Sequence, residues 1–385
     1  MKKILAAFLI LAQILTFGCW SRIELEDLAI VQGIGVDKNE QGSKKDRYLF
    51  SVQVINPSAL TSKGGGGGEK PYVIRVISGE LFFTTLRELN METALRLYYA
   101  HNRVILLSEG VARDGVKNLL DFFERNPQFR RDNYVLIVKG KALEIWDGFP
   151  GIVKVPAIAL YDLTQKSYIT AEAGVMELGD FLELLEEEGV DPYAPGVKLL
   201  TKKGRKEIRV FQTALFKNDK LVGWLNEEQS RGLLIITNKV KGGITEINNP
   251  QKPEEKLAVE LEKSKTKWQL KAVNGRPVIK LTVETEGIIT EAQDGIDFSK
   301  KEFYKRLNQA YAREVRRDIN EFLAKTREVG TDPAGFGRFI YREEPKIWQD
   351  LKDDWEEEYK NLAIEVAVRA NIVRSGMTTS AIKPQ

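Results

Sequence analysis

The opening nineteen residues set the strongest limit on what the rest of the chain can build. Lys2 and Lys3 precede an uncharged, mostly apolar run from Ile4 to Phe17, closed by Gly18-Cys19. A membrane-spanning helix needs about 20 apolar residues, so this shorter run has the length of an export-signal core instead. From Trp20-Ser21-Arg22-Ile23-Glu24 onward the sequence turns polar and mixed, and nothing later approaches a second apolar run of spanning length. Everything after the leader must therefore fold as a body outside the hydrocarbon. With 43% hydrophobic and 29% charged residues in 385, that body is an ordinary globular one of two or three domains, not a disordered or fibrous chain.

Cys19 is the single cysteine of the chain, and it stands at the end of the leader. Its flank, Leu15-Thr16-Phe17-Gly18-Cys19, resembles the lipobox of bacterial lipoprotein signals, with Gly18 suited to the residue before the cut. The resemblance implies a signal peptide over 1–18 and a diacylglyceryl group on Cys19. Two acyl chains, at about 0.8 kcal/mol per buried methylene, anchor stably where one would be marginal. Cleavage would remove Lys2 and Lys3 and no acidic residue, leaving basic and acidic residues almost balanced. The whole-chain charge of +3 is already too small to argue for a nucleic-acid partner.

One cysteine and one histidine also restrict chemistry. An internal disulfide is impossible, and a zinc site of three or four His/Cys ligands cannot be assembled. No catalytic set, cofactor or metal is expected.

Along the body, 28–37 and 48–55 read as an antiparallel hairpin, and 57–71, with glycines at 64–68, as a mobile loop. Helical spacing over 79–93 precedes a strand at 104–107, and the same alternation repeats with a helix at 115–125 and a strand at 134–138. An acidic helix ends near Gly189, and Asp191-Pro192-Tyr193-Ala194-Pro195-Gly196 is expected to stop regular structure. A hairpin follows at 208–216 and 220–224, then a helix start at 226–231 and strands at 243–247, 257–261, 266–273 and 278–285. Asn274-Gly275 marks the last turn. Phe303, Leu307, Tyr311, Val315, Ile319 and Phe322 fall on one face of a helix over 299–329. A helix at 346–359 and a strand at 362–373 close the chain. The fold class is α+β (mixed α/β), with mixed or antiparallel sheets and packed helices. The expected domains are 19–196, 207–252 and 256–376.

Other motifs read blandly. Gly33-Ile34-Gly35 lacks the third glycine and the following helix of a dinucleotide fingerprint. The glycine run lacks the Gly-Lys-Ser/Thr of a phosphate loop. His101 reads as a structural histidine, held by a carbonyl or carboxylate at a helix-to-strand corner. The acidic runs at 183–188 and 353–358 read as solvated helix faces. On the long helix Arg313, Arg316 and Arg317 stand off the apolar stripe and form a candidate surface for a partner or for anionic headgroups.

Several stretches in order then resemble the Ger(x)C family, the lipoprotein C subunits of nutrient germinant receptors in spore-forming bacteria. They are Cys19-Trp20 with Leu28-Ala29 and Gly33-Ile34-Gly35-Val36-Asp37, then His101-Asn102-Arg103 and Asp121-Phe122-Phe123-Glu124-Arg125-Asn126-Pro127. Lys220-Leu221-Val222-Gly223-Trp224, Lys241-Gly242-Gly243-Ile244, Asp332-Pro333-Ala334-Gly335-Phe336-Gly337-Arg338, Trp348 and Trp355 continue the series. The resemblance implies a non-catalytic subunit, anchored through Cys19 to the outer face of the spore inner membrane. There it would assemble with membrane A and B subunits to trigger germination. The rival reading is a lipid-anchored solute-binding protein of a transporter.

Overall fold

The computed structural model describes residues 24, 27–56, 70–148, 153–273, 275–292 and 301–374. Cys19, the signal segment and the glycine run lie outside them.

The chain opens with β1 (Leu28–Lys38) and β2 (Tyr48–Ile55), the expected antiparallel hairpin, and β3 (Tyr72–Gly79) adds to the outside of β2. Next come α1 (Phe82–Met91), β4 (Arg96–Tyr98), β5 (Val104–Ser108), α2 (Glu109–Asp114), α3 (Lys117–Arg125) and β6 (Tyr134–Val138). After α4 (Ala142–Ile145), α5 (Pro156–Thr170) and α6 (Leu178–Glu186), the strands β7 (Tyr193–Lys202), β8 (Arg205–Lys217) and β9 (Lys220–Leu225) complete the sheet. Its order is β3-β2-β1-β5-β6-β7-β8-β9, with β4 beside β1. The middle, β1-β5-β6-β7, is parallel and both flanks are antiparallel.

Successive strand side chains point to opposite faces, so a strand covered on both sides is apolar throughout. β5 and β6 are of this kind but for Ser108 at the end of β5, and all ten of their residues are buried. Val104, Leu106, Leu136 and Val138 share a core with Trp146, Ala157 and Leu160 around α4 and α5. Ile105, Leu107, Val135 and Ile137 join the larger core with Phe82, Leu120, Phe123 and Phe181 of α1, α3 and α6. The Gly-Ile-Gly-x-Asp run of β1 gains a physical reason here. A Cβ on Gly33 would lie 2.7 Å from the Trp146 ring, and Asp37 caps α4 by accepting from the N–H groups of Ala142 (2.7 Å) and Leu143 (2.8 Å).

One expectation fails at β7. The Asp191-to-Gly196 stretch does not end regular structure, since Tyr193, Ala194, Pro195 and Gly196 are in the strand. Pro195 is tolerated because pairing with β6 begins only at Gly196, and a bulge against β8 falls between the two residues. The stretch 196–207, taken from sequence as the domain boundary, holds the end of β7 and the start of β8, which pair down to Lys202 and Arg205.

Beyond β9, Asn226 and Gln229 form a reciprocal capping box that starts α7 (Glu227–Ile236). The second sheet is β10 (Ile244–Asn248), β11 (Lys256–Val273), β12 (Arg276–Ala292) and β13 (Ala363–Arg374), in that order, with only β12 and β13 parallel among its described pairs. The strands expected at 257–261 and 266–273 are a single one, continuous through register shifts at Ala258/Val259 and Leu261/Lys263. Between β12 and β13 run α8 (Lys301–Val329), α9 (Phe336–Glu343), α10 (Pro345–Leu351) and α11 (Trp355–Asn361). The single helix expected at 346–359 is thus broken, by a 3-10 turn at Lys352–Asp354.

The expected stripe of α8, from Phe303 to Phe322, is buried. It shares one core with Val259, Ile279, Leu281 and Val283 of the second sheet, and with Leu233 and Ile236 of α7. α7 and α8 approach so closely that a Cβ on Gly232 would lie 2.5 Å from the Asp318 carbonyl oxygen. Beside this contact Arg231 Nε meets the fully buried Asp318 Oδ2 at 2.7 Å. Hydrophobic packing is therefore continuous from the first sheet to the second.

Candidate functional site

Three chain segments converge at the seam between the sheets: the link from α6 to β7, the β8–β9 turn, and the strap from α8 to α9. Asp191, 6% exposed, donates its N–H to the Asp332 carbonyl at 3.0 Å. Its Oδ2 accepts from the Asp332 N–H at 2.9 Å and its Oδ1 from the Asn218 N–H at 3.1 Å. Lys217 Nζ, 3.4 Å from Oδ2, supplies the neighbouring positive charge. Asp332, 1% exposed, turns its own carboxylate inward: Oδ1 accepts from Gly335 N–H and Oδ2 from Gly337 N–H, each at 2.9 Å. Burial nevertheless pushes the Asp332 carboxyl up to about 7, against the backbone donors that favour its charged form.

The rest of the strap is fastened in the same way. Thr331 donates its hydroxyl to the Phe216 carbonyl. The Arg338 N–H donates to the Gly189 carbonyl at 2.8 Å, while its guanidinium meets Glu187 at 2.8 Å. Trp348 Nε1 donates to Glu188 Oε2 at 3.0 Å. Gly189 has φ +74°, and a Cβ there would strike the backbone of Gly337 and Arg338 at 2.5 Å, so two strands of backbone touch with no side chain between them. These backbone and side-chain bonds tie segments up to 160 residues apart in sequence and set no nucleophile beside a base. The Asp332-to-Arg338 run carried no readable chemistry in the sequence, because its partners are so distant along the chain.

Arg313, Arg316 and Arg317 are all exposed on the outer side of α8, opposite the buried stripe. They are not equivalent. Arg317 contacts Glu314 at 2.5 Å and Glu321 at 3.6 Å, whereas Arg313 and Arg316 have no ion pair among the described residues. Two uncompensated cations one helical turn apart remain of the three.

His101 is exposed and meets the Tyr98 ring edge-on at 5.7 Å. The corner is bonded instead by its neighbour Asn102, 5% exposed, whose Nδ2 donates to Asn133 Oδ1 and to the Val104 carbonyl at 3.3 Å. The sequence reading chose the chemically conspicuous residue over the one placed inside. Among the described residues no group of three His, Cys, Asp or Glu could hold a metal ion, and no helix is long and apolar enough to cross a membrane.

The fold of two mixed sheets has a solved counterpart. The crystal structure of the GerBC protein shares this fold, with a TM-score of 0.56 at 22% identity over 89% of this chain and 97% of that one. Residues 21–199 match the family described as "Spore germination protein N-terminal domain", and 212–376 match "Spore germination B3/ GerAC like, C-terminal". Spore germination protein KC of Bacillus subtilis is 30% identical over 100% of this chain and 98% of its own length. Spore germination protein GerQC of Bacillus cereus is 24% identical over 96% and 98%. The chain belongs to the GerAC-like family of spore germination proteins, a receptor-component family and not an enzymatic one.

Proposed function

We propose that this protein is the lipid-anchored C subunit of a spore nutrient germinant receptor, assembling with membrane A and B subunits on the outer face of the spore inner membrane. The observation that carries the reading is the end-to-end relationship to spore germination protein KC. The only cysteine, placed where the apolar leader stops, supports the anchor. In this reading residues 1–18 are removed, Cys19 carries diacylglycerol, and the folded body is a docking module with no chemistry of its own. Arg313 and Arg316 provide a docking contact to a partner or to headgroups, since each basic residue near an anionic membrane contributes about 1 kcal/mol.

The test is purification of the tagged full chain from spore membranes, beside Cys19→Ala. Multispanning subunits should co-purify with the former, and the variant should move to the soluble fraction and germinate poorly. Purification without any multispanning partner would refute the assembly, and unchanged membrane attachment of the variant would refute the anchor.

A further inference from the structure

Cys19 lies nine residues before Leu28, where β1 begins. A fully extended chain spans about 3.5 Å per residue, so Cys19 stays within about 30 Å of Leu28 whatever path it takes. A compact chain of this length measures about 50 Å across. A body held through Cys19 therefore cannot turn the Leu28 end of its first sheet far from the bilayer.

That end carries an apolar bend. β4 pairs in parallel with β1, Arg96 opposite Leu28, and Met91-Glu92-Thr93-Ala94-Leu95 bring the chain there from the last turn of α1. Surface bends are ordinarily polar. Here Met91 is 87% exposed, more than any other large hydrophobic side chain among the described residues, and Ala94 and Leu95 are exposed beside it. The bend is not loose. Asn90 Oδ1 accepts from the Leu97 N–H at 2.9 Å while its Nδ2 donates to the Leu86 carbonyl at 3.1 Å, and Thr93 donates its hydroxyl to the Leu89 carbonyl at 3.2 Å. Single exposed apolar residues are normal on a protein surface, but a cluster held outward in this way marks an interaction site. Arg96 is exposed as well and has no ion pair among the described residues. Asp27 and Glu92, also exposed at this end, set the depth of any lipid contact at the headgroups, since carboxylates do not enter hydrocarbon.

We propose that this bend rests on the membrane, Met91 and Leu95 entering the boundary between headgroups and acyl chains and Arg96 meeting lipid phosphate. The proposal rests on the anchoring reading, because the lipid on Cys19 is what brings this end to the bilayer. Leu81 supplies an internal control. It is apolar and 65% exposed, but it stands at the other end of α1, about 15 Å away. It follows Gly79, whose partner Tyr48 pairs with Lys38 at the far end of β1.

With Cys19 acylated, an introduced cysteine is the one free thiol of the chain. Met91→Cys, Leu95→Cys and Leu81→Cys, each in the full chain and labelled with bimane, are reconstituted into phosphatidylglycerol vesicles with plain or brominated acyl chains. Bromine quenches only at close contact, so the probes at positions 91 and 95 should lose severalfold more fluorescence than the probe at 81. The replaced side chains are exposed, and urea midpoints should stay at the wild-type value. The mass of the Cys19 peptide is read from the same samples. An unmodified Cys19 removes the anchor and this contact with it. An acylated Cys19 with equal quenching at the three positions, or with none at 91 and 95, overturns the contact and leaves the anchor standing. A response at 91 that follows protein concentration and ignores bromine would assign the bend to a second copy of the chain, and would overturn the proposal as well.

Discussion

Gly189→Ala tests whether the seam is a true backbone-to-backbone contact. The added methyl would sit 2.5 Å from Arg338 N and Gly337 C and 2.9 Å from Gly337 Cα, atoms that cannot rotate away as a side chain could. Three costs add. Holding a non-glycine residue at φ +74° costs about 1 kcal/mol. Pushing the strap outward costs about 1–3 kcal/mol of overpacking. Loss of the 2.8 Å bond from Arg338 N–H to the Gly189 carbonyl removes about 1 kcal/mol. The expected destabilisation is about 3–5 kcal/mol. Gly204→Ala is the matched control: at φ +76° in the β7–β8 turn it has nothing within 4 Å of a Cβ, so only the conformational cost of about 1 kcal/mol applies. Urea unfolding of both variants and the wild type, compared at a common slope, gives the difference directly. Equal losses at the two positions would refute the close approach and with it the description of the seam.

Asp332 should make stability depend on pH. Its carboxyl, ordinarily at 3.8, is raised to about 7 in the folded state, so the folded chain holds a proton there that the unfolded chain has released. The contribution is fully present below 3.8 and fades as pH rises through 7, by about 4 kcal/mol at most. Measured against Asp332→Asn, whose side chain does not titrate, the wild type should lose relative stability between about pH 4 and 8; a pH-independent difference would sink the assignment. On α8, Arg313→Glu with Arg316→Glu should leave the urea midpoint nearly unchanged, as exposed sites do, but reduce recovery of receptor complexes from spore membranes. Arg317→Glu, already among acids, should reduce recovery less, and full recovery with the double variant would rule out docking through this face.

Elements whose packing follows a simple period were legible in the sequence. The six apolar positions of α8 could be read because the helix lies on one sheet and exposes its other side. The β11–β12 turn was readable from Asn274-Gly275, and Gly275 does take a positive φ of 78°. α5 gave no such signal, since its buried side includes Thr164 and Ser167, whose hydroxyls bond to the Leu160 and Thr164 carbonyls and satisfy themselves locally. β7 was hidden by Pro195 and Gly196, residues that break a strand in general but not at a bulge where pairing on one side has yet to begin. Of the site, the α8 arginines were visible as charges, but their inequality depends on where Glu314 and Glu321 reach. Asp191 and Asp332 could not be linked in advance, because 141 residues separate them and neither belongs to a periodic pattern.

That separation bears on how the protein comes to be folded. Asp191 closes the link into β7, and β7 joins the parallel centre of the first sheet to its outer hairpin. Asn218 and Lys217 meet Asp191 within the first half, but the N–H donor to its Oδ2 and the acceptor for its own N–H arrive only with Asp332, after the long helix. Contacts between such remote parts of a chain form slowly, because the loop entropy must be met before the contacts return anything. A chain interrupted before the strap would therefore leave Asp191 Oδ2 without its backbone donor. The C-terminal half thus completes a hydrogen-bonded junction that the N-terminal half cannot close by itself.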